Sequence, residues 1–297
     1  MASKKIIVID ANAIIHRAFH ALPELTAEKE MVNALYGFLL AFFKSIKDFR
    51  PDYVAAAFDF PGPTFRHKEY KEYKATREKA ADELLSQIPK VKEALEKFKV
   101  PVFEKKGFEA DDIIGAIAKK TPKLKTIVLT GDLDLLQLID KSTEVYNLKR
   151  GVKDAVLYDM EKVAERYEGL KPSHLIEFKA LRGDPSDNIP GVAGIGEKTA
   201  LKLIKEFKSL GNLYKNLNKL KEPLKKKLET DREKAFLSRD LVRIKKDMPL
   251  DFKLEQCAFG RYNKEEVVEF FDKYQFKTLI PRLEGLGEKE KKNLELI

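Results

Sequence analysis

Short apolar runs that end close to an aspartate are the feature that most constrains the fold of this chain. Three such runs lie in the first half: KIIVI, YVAAAF and TIVL. The carboxylates that follow them are Asp10, Asp59 and Asp132. Helical patterns such as residues 34–49 lie between the runs, which predicts an α/β fold with a mostly parallel sheet covered by helices. Ligands of such sheets bind beyond the carboxyl ends of the strands, so the aspartates are expected to meet at one edge.

The second half of the chain has a different pattern. From about residue 172 it is helical, with helices predicted at residues 174–181, 197–207 and 264–274. An extended FKTLIPRL stretch and a frayed, charged tail, EKEKKNLELI, are expected after them. A chain of 297 residues with 43% hydrophobic residues can form two domains. We predict the junction near residue 170, with domains at 1–170 and 171–297.

Composition and charge narrow the class of protein. No apolar run approaches the ~20 residues of a membrane span, and no signal peptide is recognisable, so a cytoplasmic protein is expected. Cys257 is the only cysteine, which excludes an intramolecular disulfide and a CxxC zinc site. The net charge of +9 fits a polyanionic partner, although ordinary soluble proteins and membrane-surface binders share this balance.

Carboxylates form the pattern with the clearest chemical meaning. For Asp111 alone, at the start of an apolar helix, capping is a sufficient explanation. Capping does not explain why many carboxylates would meet at one sheet edge, where like charges repel unless cations intervene. Oxygen ligands without His or Cys indicate a hard ion, Mg²⁺ or Mn²⁺, and not zinc. The candidate metal ligands are Asp10, Asp59, Glu109, Asp111, Asp112, Asp132, Asp134, Asp184 and Asp187.

This acidic pattern indicates metal-assisted hydrolysis of a phosphodiester. Two ions about 4 Å apart would clamp the phosphate, activate a bound water and stabilise the departing oxygen. No protein nucleophile is then required, and no Ser-His-Asp pattern suggests one. The four histidines are scattered without metal-ligand spacing.

A basic segment with aromatic residues follows the second strand. Residues 64–92 are highly charged and predict a helical excursion out of the sheet core. Four residues recur at spacings that place them on one helix face: Arg66, Tyr70, Tyr73 and Arg77. Lys74 borders this face. Cations and rings beside an acidic pocket suit single-stranded nucleic acid, whereas a merely solvated surface helix is the alternative.

A glycine-rich turn precedes the helix predicted at residues 197–207. Gly191, Gly194 and Gly196 lie in this turn, which would point backbone N–H groups at an anion beside a helix N-terminus. Lys198 is placed to assist. A plain connection between helices is the alternative, but GDPSDN followed by GIGEKTA favours a hairpin that grips duplex backbone without reading its sequence.

Together these motifs resemble the 5′-nuclease module of bacterial DNA polymerase I and the related flap endonucleases. The resemblance spans nearly the whole chain, in family order: VIDAN, HRAFHALPELT, YGF, FDFPGPTFRHKEYKEYKATR, EADDIIGAIAK, TGDLDLLQL, ALRGDPSDNIPGVAGIGEKTA and FKTLIPRL. It implies a PIN-like (resolvase-like) nuclease core, a helical arch at about residues 62–95 and a helix-hairpin-helix element at about residues 184–207. It also implies two Mg²⁺ or Mn²⁺ ions and a potassium ion at the hairpin turn.

The resemblance also implies roles for individual residues. The candidate carboxylates match the family's metal ligands, and their completeness implies an active enzyme. Lys74 and Arg77 match residues that contact the scissile phosphate, with Arg66 and Tyr73 as supporting contacts. Arg17 matches a basic residue near the same pocket. The expected DNA contacts are His16, Tyr70, Gly191, Gly194, Gly196, Lys198 and Thr199.

The biological role that the resemblance implies is removal of RNA primers and trimming of flaps during replication and repair, without polymerase activity. The expected partners are DNA with 5′ flaps, 5′ overhangs or nicks, and RNA primer–DNA hybrids. A monomer associated with the nucleoid is expected. The absence of a polymerase portion suggests a free-standing enzyme, and a domain excised from a larger protein is the alternative.

Three departures from the family pattern affect these expectations. His16 stands where relatives commonly have Tyr or Phe, so base stacking there is expected to be weaker or to depend on pH. Leu133 replaces a usual Lys, and residues 75–87 lack the prolines of many relatives, so a more continuous helical arch is expected. Two rival hypotheses stay open: a structure-selective DNA-binding protein without catalysis, and an RNA-directed PIN-type ribonuclease.

Overall fold

A computed structural model describes residues 3–148 and 154–286 of the chain. Its strands are β1 (Lys5–Asp10), β2 (Thr26–Ala27), β3 (Glu30–Met31), β4 (Tyr53–Ala57), β5 (Val102–Phe103), β6 (Lys125–Thr130), β7 (Thr143–Leu148) and β8 (Ala155–Tyr158). Six of them form one sheet in the order β5-β4-β1-β6-β7-β8, and β2 pairs with β3 separately. All neighbours in the large sheet are parallel except β7 and β8. The predicted mostly parallel sheet is therefore confirmed.

Helices flank the sheet and make up most of the second half of the chain. They are α1 (Ala11–Ala21), α2 (Asn33–Phe49), α3 (Phe65–Glu69), α4 (Asp82–Leu85), α5 (Ile88–Lys97), α6 (Ala110–Lys120), α7 (Met160–Arg166), α8 (Leu175–Arg182), α9 (Glu197–Phe207), α10 (Leu210–Lys215), α11 (Glu222–Thr230), α12 (Arg232–Val242) and α13 (Lys264–Lys273). Short 3-10 helices include Asp134–Leu138, Pro185–Asp187 and Lys277–Leu283. Among the described residues, none of the helices combines the length and apolar character that crossing a bilayer requires.

Both faces of the sheet are buried, which explains the near-continuous apolar runs of its central strands. On one face, Ile7 and Ile9 of β1 pack in a core with residues of α1, α2, α5 and α13. On the other face, Ile6 and Val8 pack in a second core with residues of α6. Alternate residues of a strand point to opposite faces, so β1 contributes to both cores. Its carboxyl end lies at the junction of the two layers.

The predicted helical excursion and continuous helical arch are wrong over much of their length. In residues 62–95, α3 ends at Glu69, and turns and irregular backbone lead to the single turn of α4 before α5 begins. Lys74 has a positive φ of 56°, which no α-helix accommodates. Its backbone N–H donates to the Asp187 carbonyl at 2.9 Å. Tertiary hydrogen bonds therefore replace the helical ones that the charged sequence suggested.

One prediction for the C-terminal part also needs correction. The FKTLIPRL stretch is not extended, because Lys277–Leu283 forms a 3-10 helix with Leu279 and Leu283 buried. The described helices after residue 170 contribute to more than one core. Buried residues from Leu170 to Ala235 form their own core, whereas residues of α13 such as Phe271 pack in the first core of the sheet. The predicted frayed tail, residues 288–297, lies outside the described residues.

Candidate active site

Three parallel strands place aspartates side by side at one edge of the sheet. Asp10 is the last residue of β1, and its partner across the ladder is Ala57, the last residue of β4. Asp59 follows Ala57 two positions later. Asp132 lies just beyond the end of β6, which pairs with β1 on its other side. The carboxyl ends of these strands therefore bring the three carboxylates together.

Hydrogen bonds fix the orientation of the Asp10 carboxylate, which is 3% exposed. Its Oδ1 accepts the Ala13 N–H at 3.1 Å and so caps α1, while its Oδ2 accepts the Thr130 hydroxyl at 2.7 Å. The same hydroxyl oxygen accepts the Asp132 N–H at 2.9 Å. Thr130, which had no role in the sequence interpretation, therefore links the Asp10 carboxylate to the backbone of Asp132.

Helix α6 brings a further carboxylate to this edge from one face of the sheet. Its first N–H, that of Ala110, donates to Asp59 Oδ1 at 2.8 Å, which fixes the start of the helix beside β4. Asp111 lies in the first turn. Burial, together with the charges of Asp10 and Asp132, raises the pKa of Asp111 well above its usual value. We name four carboxylates the strand-end group: Asp10, Asp59, Asp111 and Asp132.

Burial and mutual repulsion disfavour the charged state of the strand-end group. The pKa of Asp10 rises to about 7, first because of burial and further because of the nearby Asp59 and Asp132 charges, against opposing hydrogen bonds. Burial also raises the pKa of Asp59. The ion pairs that the described residues form at this edge involve other carboxylates: Glu109, Asp112, Asp134, Asp184 and Asp187.

Three of those other carboxylates, Asp134, Asp184 and Asp187, form what we name the loop group. Asp134 begins a 3-10 helix, and the other two lie in the turn that follows α8. Lys179 of α8 forms an ion pair with Asp134 and another, at 2.7 Å, with Asp184. Arg77 forms an ion pair with Asp187. Cations of the chain itself therefore partly neutralise the loop group.

The donor set of both groups suits a hard divalent cation. All the donors are carboxylate oxygens, and a cation would relieve the repulsion between them. Within residues 3–148 and 154–286, no three His, Cys, Asp or Glu side chains already form a cage for one ion. The chemistry of the ligands therefore fits Mg²⁺ or Mn²⁺, and binding an ion requires the carboxylates to move together.

Arg66 and Asp112 do not have the roles expected from the sequence. All five N–H donors of the Arg66 guanidinium are used, by Asp112, Glu109 and two backbone carbonyls at the end of α12. Asp112 is fully buried, and its oxygens also accept the N–H groups of Glu109 and Lys245. Neither side chain has a bonding position left for a phosphate or a metal ion. We therefore correct both roles to a structural ion pair.

The turn at residues 70–77 lies against Glu109 and against Asp187 of the loop group. The Tyr73 hydroxyl lies 3.1 Å from Glu109 Oε2 and 3.1 Å from Asp187 Oδ2, and Tyr73 is 3% exposed. Lys74 Nζ lies 3.1 Å from Glu109 Oε1. Lys74 and Arg77 thus place positive charge in the pocket, while the buried Tyr73 hydroxyl lies between Glu109 and Asp187 of the loop group.

Three other predicted contacts lie at the margin of the pocket or outside it. Arg17 lies beside the loop that follows β6, because a Cβ built on Gly131 would meet its Nε at 2.8 Å. His16 is on the surface of α1, and partial burial followed by nearby positive charges lowers its pKa. Tyr70 donates its hydroxyl to Glu72 Oε2 at 2.8 Å and makes no contact with the carboxylate groups.

The glycine-rich turn leads into an uncapped helix N-terminus. Gly191 and Gly194 have positive φ of 62° and 72°, whereas Gly196 is extended and is the N-cap of α9. No side chain of the described residues caps α9. Lys198 is exposed and Thr199 half-buried in its first turn. The free N–H groups and the lysine suit an anion such as a phosphate.

Two family models match the chain in succession. The model of the 5′-3′ exonuclease N-terminal resolvase-like domain matches residues 5–168, which is more than half of the chain. The model of the 5′-3′ exonuclease C-terminal SAM fold matches residues 170–265. The chain belongs to the 5′-3′ exonuclease family.

The chain is similar to curated DNA polymerase I sequences from several bacteria. It is 45% identical over 289 residues to DNA polymerase I of Caldicellulosiruptor bescii, covering 96% of this chain and 34% of the relative. The chain is 40% identical over 284 residues to DNA polymerase I of Bacillus subtilis, covering 94% of this chain and 32% of the relative. The chain therefore spans about a third of the length of these relatives.

Several solved structures share the fold of the chain. The bacteriophage T5 D15 flap endonuclease, solved as a complex with DNA and metal ions, matches with a TM-score of 0.67 and 20% identity, over 92% of this chain and 100% of that chain. The catalytic core of Rad2 in complex with DNA substrate matches with a TM-score of 0.62 and 18% identity, over 96% of this chain and 92% of that chain. At such identities the likeness concerns the fold alone.

Two residues at the candidate site were missed by the sequence interpretation. Thr130 bonds both Asp10 and Asp132, and its place at the start of TGDLD was the available signal. Lys179 contacts two members of the loop group. Its position one helical turn before GDPSDN was a weaker signal, because lysines at helix ends are common for electrostatic reasons alone.

Proposed function

We propose that this chain is a structure-selective 5′-nuclease that hydrolyses DNA phosphodiester bonds with two Mg²⁺ or Mn²⁺ ions. The observation that carries the proposal is the strand-end group, in which buried carboxylates with raised pKa values face one another. Family membership supports the 5′-3′ polarity. The DNA and metal ions in the T5 complex, and the DNA in the Rad2 complex, support the same partners here.

In this proposal each carboxylate group holds one metal ion. Such ions, when bound, lower the pKa of a water and stabilise the departing oxygen. Glu109 lies between the groups and would contribute to either. Lys74 and Arg77 line the pocket and would bind the phosphate oxygens of the substrate, and Arg17 would add positive charge at its margin.

The rest of the proposed substrate contacts lie on α1 and α9. The N-terminus of α9, with Lys198 and Thr199, would bind the phosphates of duplex DNA without reading its bases. His16, beside the pocket, would lie against a base near the 5′ end. A potassium ion would bind at the hairpin turn, where the Gly194 carbonyl already accepts a hydrogen bond from Lys227 Nζ at 3.3 Å.

The proposed substrates are DNA with 5′ flaps, 5′ overhangs or nicks, and RNA primers paired with DNA. These substrates arise in primer removal and DNA repair. The proposal describes a monomer in the cytoplasm, associated with the nucleoid, in which the catalytic edge and the hairpin belong to domains that divide near residue 170.

A cleavage assay tests the proposal directly. A 5′-flap duplex labelled at its 5′ end is incubated with the chain in Mg²⁺, in Mn²⁺ and in EDTA, beside an unstructured single-stranded RNA. We expect cleavage near the flap junction that requires metal. No cleavage with any metal would favour a DNA-binding protein without catalysis, and equal or faster cutting of the RNA would favour a PIN-type ribonuclease.

Variants separate metal ligands from phosphate contacts. Asp59→Asn should reduce turnover by on the order of 100-fold or more and leave DNA affinity largely intact, since a ligand is lost. Lys74→Met should slow turnover without changing metal affinity. Glu96→Gln, which alters an exposed carboxylate on α5, is the control and should keep full activity. Normal turnover by Asp59→Asn in saturating Mg²⁺ would remove Asp59 from the mechanism.

A further inference from the structure

Lys179 is enclosed by two carboxylates of the loop group. Its side chain is 13% exposed and extends from the last turn of α8. Its Nζ forms an ion pair with Asp134 Oδ1 and a second ion pair with Asp184 Oδ2. The distance from Nζ to Asp184 Oδ2 is 2.7 Å. Those two side chains are 23% and 9% exposed. The ammonium therefore bridges two segments of chain that come from different parts of the sequence.

Burial makes this bridge stronger than an ordinary surface ion pair. Exposed pairs contribute little because water and salt screen them, whereas partly buried charges are screened less. Asp134 and Asp184 repel each other when both are ionised, and removing the ammonium that pairs with both would leave that repulsion uncompensated. In the metal-free chain Lys179 does electrostatically what a bound cation would do.

The strand-end group differs in this respect. The ion pairs formed by described residues at the sheet edge involve Glu109, Asp112 and the loop group, not Asp10, Asp59, Asp111 or Asp132. An ion that enters the strand-end group therefore displaces no charged side chain. An ion that enters the loop group at Asp134 and Asp184 has to displace the Lys179 ammonium.

From this difference we infer that Lys179 is a resident counter-ion that controls metal binding to the loop group. It holds Asp134 and Asp184 together without metal and competes with the ion that the two carboxylates would otherwise bind. Metal binding is consequently ordered, with the strand-end group filled first and the loop group second. The inference rests on the proposed function and specifies how its second ion enters.

A purely structural ion pair makes a different prediction. If Lys179 only stabilised the fold, its replacement would lower stability and would leave metal affinity unchanged or weaken it. A competing counter-ion, once replaced, must make the second ion bind more tightly. The direction of the change in affinity therefore decides between the two roles.

The experiment counts bound Mn²⁺ in DNA-free protein by electron paramagnetic resonance. Lys179→Met and Lys179→Gln remove the charge and keep most of the side-chain length. Lys44→Met is the matched control, because it breaks an ion pair of 2.7 Å with Asp48 on α2. We expect the second Mn²⁺ to bind about tenfold or more tightly in both Lys179 variants. The first step should be unchanged, and the control should match the wild type.

A double-variant comparison assigns the step to the loop group. Asp184→Asn should abolish the second binding step and keep the first. Lys179→Met should then have no effect on the remaining step in the Asp184→Asn background. If Lys179→Met tightens that remaining step, the ammonium does not act on the loop group and the inference is wrong.

Thermal unfolding gives a readout that is independent of catalysis. In EDTA the Lys179 variants should unfold at a lower temperature than the wild type, and saturating Mn²⁺ should raise their midpoint by more. The size of the metal-induced shift carries the test, so a less stable variant still gives a decisive result. Equal shifts in the variants and the wild type would contradict the inference.

The outcomes distinguish this inference from the proposed function. A wild-type chain that binds no Mn²⁺ would overturn both. A wild-type chain that binds two ions, with a second step that the Lys179 variants leave unchanged or weaken, would overturn only the role of Lys179.

Discussion

Burial and metal binding have opposite effects on the pKa of Asp10. Burial raises its pKa from 3.8 to about 7. Since the folded state then holds the proton more tightly than the unfolded state, stability contributed by this group decreases as the pH rises between these values. A bound cation reverses the effect, because it favours the ionised carboxylate.

We expect Asp10→Asn to change the pH dependence of stability. In EDTA, the free energy of unfolding of the wild type minus that of the variant should fall by on the order of 2 kcal/mol between pH 5 and pH 8. Urea unfolding at both pH values measures this difference. Saturating Mg²⁺ at pH 8 should stabilise the wild type more than the variant. Parallel pH profiles in EDTA would show that Asp10 does not titrate in this range.

Arg66 shows why single charged residues are hard to assign from sequence. Its position among other cations and rings predicted a phosphate contact. Its guanidinium instead bonds Asp112 and backbone carbonyls at the end of α12, including that of Leu241. These partners lie far along the chain, so neither helical spacing nor charge pattern identifies them.

Among the elements, the glycine-rich turn before α9 depends most strictly on backbone geometry. Gly191 has φ of 62°, and a Cβ there would lie 2.3 Å from the Gly183 backbone nitrogen. Gly196 has a negative φ, and a Cβ there would meet nothing within 4 Å. The sequence pattern does not distinguish Gly191 from Gly196. Of these two positions, only Gly191 combines a positive φ with a backbone clash for any Cβ.

Alanine substitutions should separate the two glycines. We expect Gly191→Ala to lower the free energy of unfolding by roughly 2 kcal/mol or more, because strain and a backbone clash add together. DNA affinity should fall with it, since the turn would shift. Gly196→Ala is the control and should cost less than about 1 kcal/mol. Urea unfolding and fluorescence anisotropy with duplex DNA measure both effects, and equal losses in the two variants would contradict this account.

The segment at residues 70–77 shows how tertiary contacts override local preference. Its charged sequence and regular spacing favour a helix, yet the backbone turns at Lys74. The Asn188 side chain donates to the Glu72 carbonyl at 2.7 Å, and the Lys74 N–H donates to the Asp187 carbonyl. The side chains of Tyr73 and Lys74 still reach the pocket, but they extend from a turn that is hydrogen-bonded to residues 187 and 188, not from a helix.

For the whole molecule, the return of the chain to the sheet is the main architectural finding. After α12, the chain crosses back, and α13 packs in the same core as α2 and α5. Phe271 is 0% exposed there. Because this core also contains Ile7 and Ile9 of β1, the C-terminal helix α13 and the strand that carries Asp10 belong to one continuous core.

Phe271→Ala should therefore destabilise the nuclease core although it lies outside residues 1–170. We expect a loss of about 3–5 kcal/mol in the free energy of unfolding, from lost burial and the cavity left behind. Phe60→Ala, at a side chain that is 38% exposed, should cost less than about 1 kcal/mol. Urea unfolding followed by circular dichroism tests this, and similar losses for the two variants would rule out a shared core.

The amino-acid sequence by itself determined the strands, the main helices and the set of carboxylates at the sheet edge. Hydrophobic periodicity is local, and parallel strands have only one edge at which their carboxyl ends can meet. Only the tertiary structure decided how the charged side chains are paired. Arg66 forms an ion pair with Asp112, and Lys179 forms ion pairs with Asp134 and Asp184 of the loop group. The ion pairs of the described residues at this edge do not include the strand-end group, so its charge would be balanced by an external cation. Such pairings depend on distances between remote segments, which no local pattern encodes.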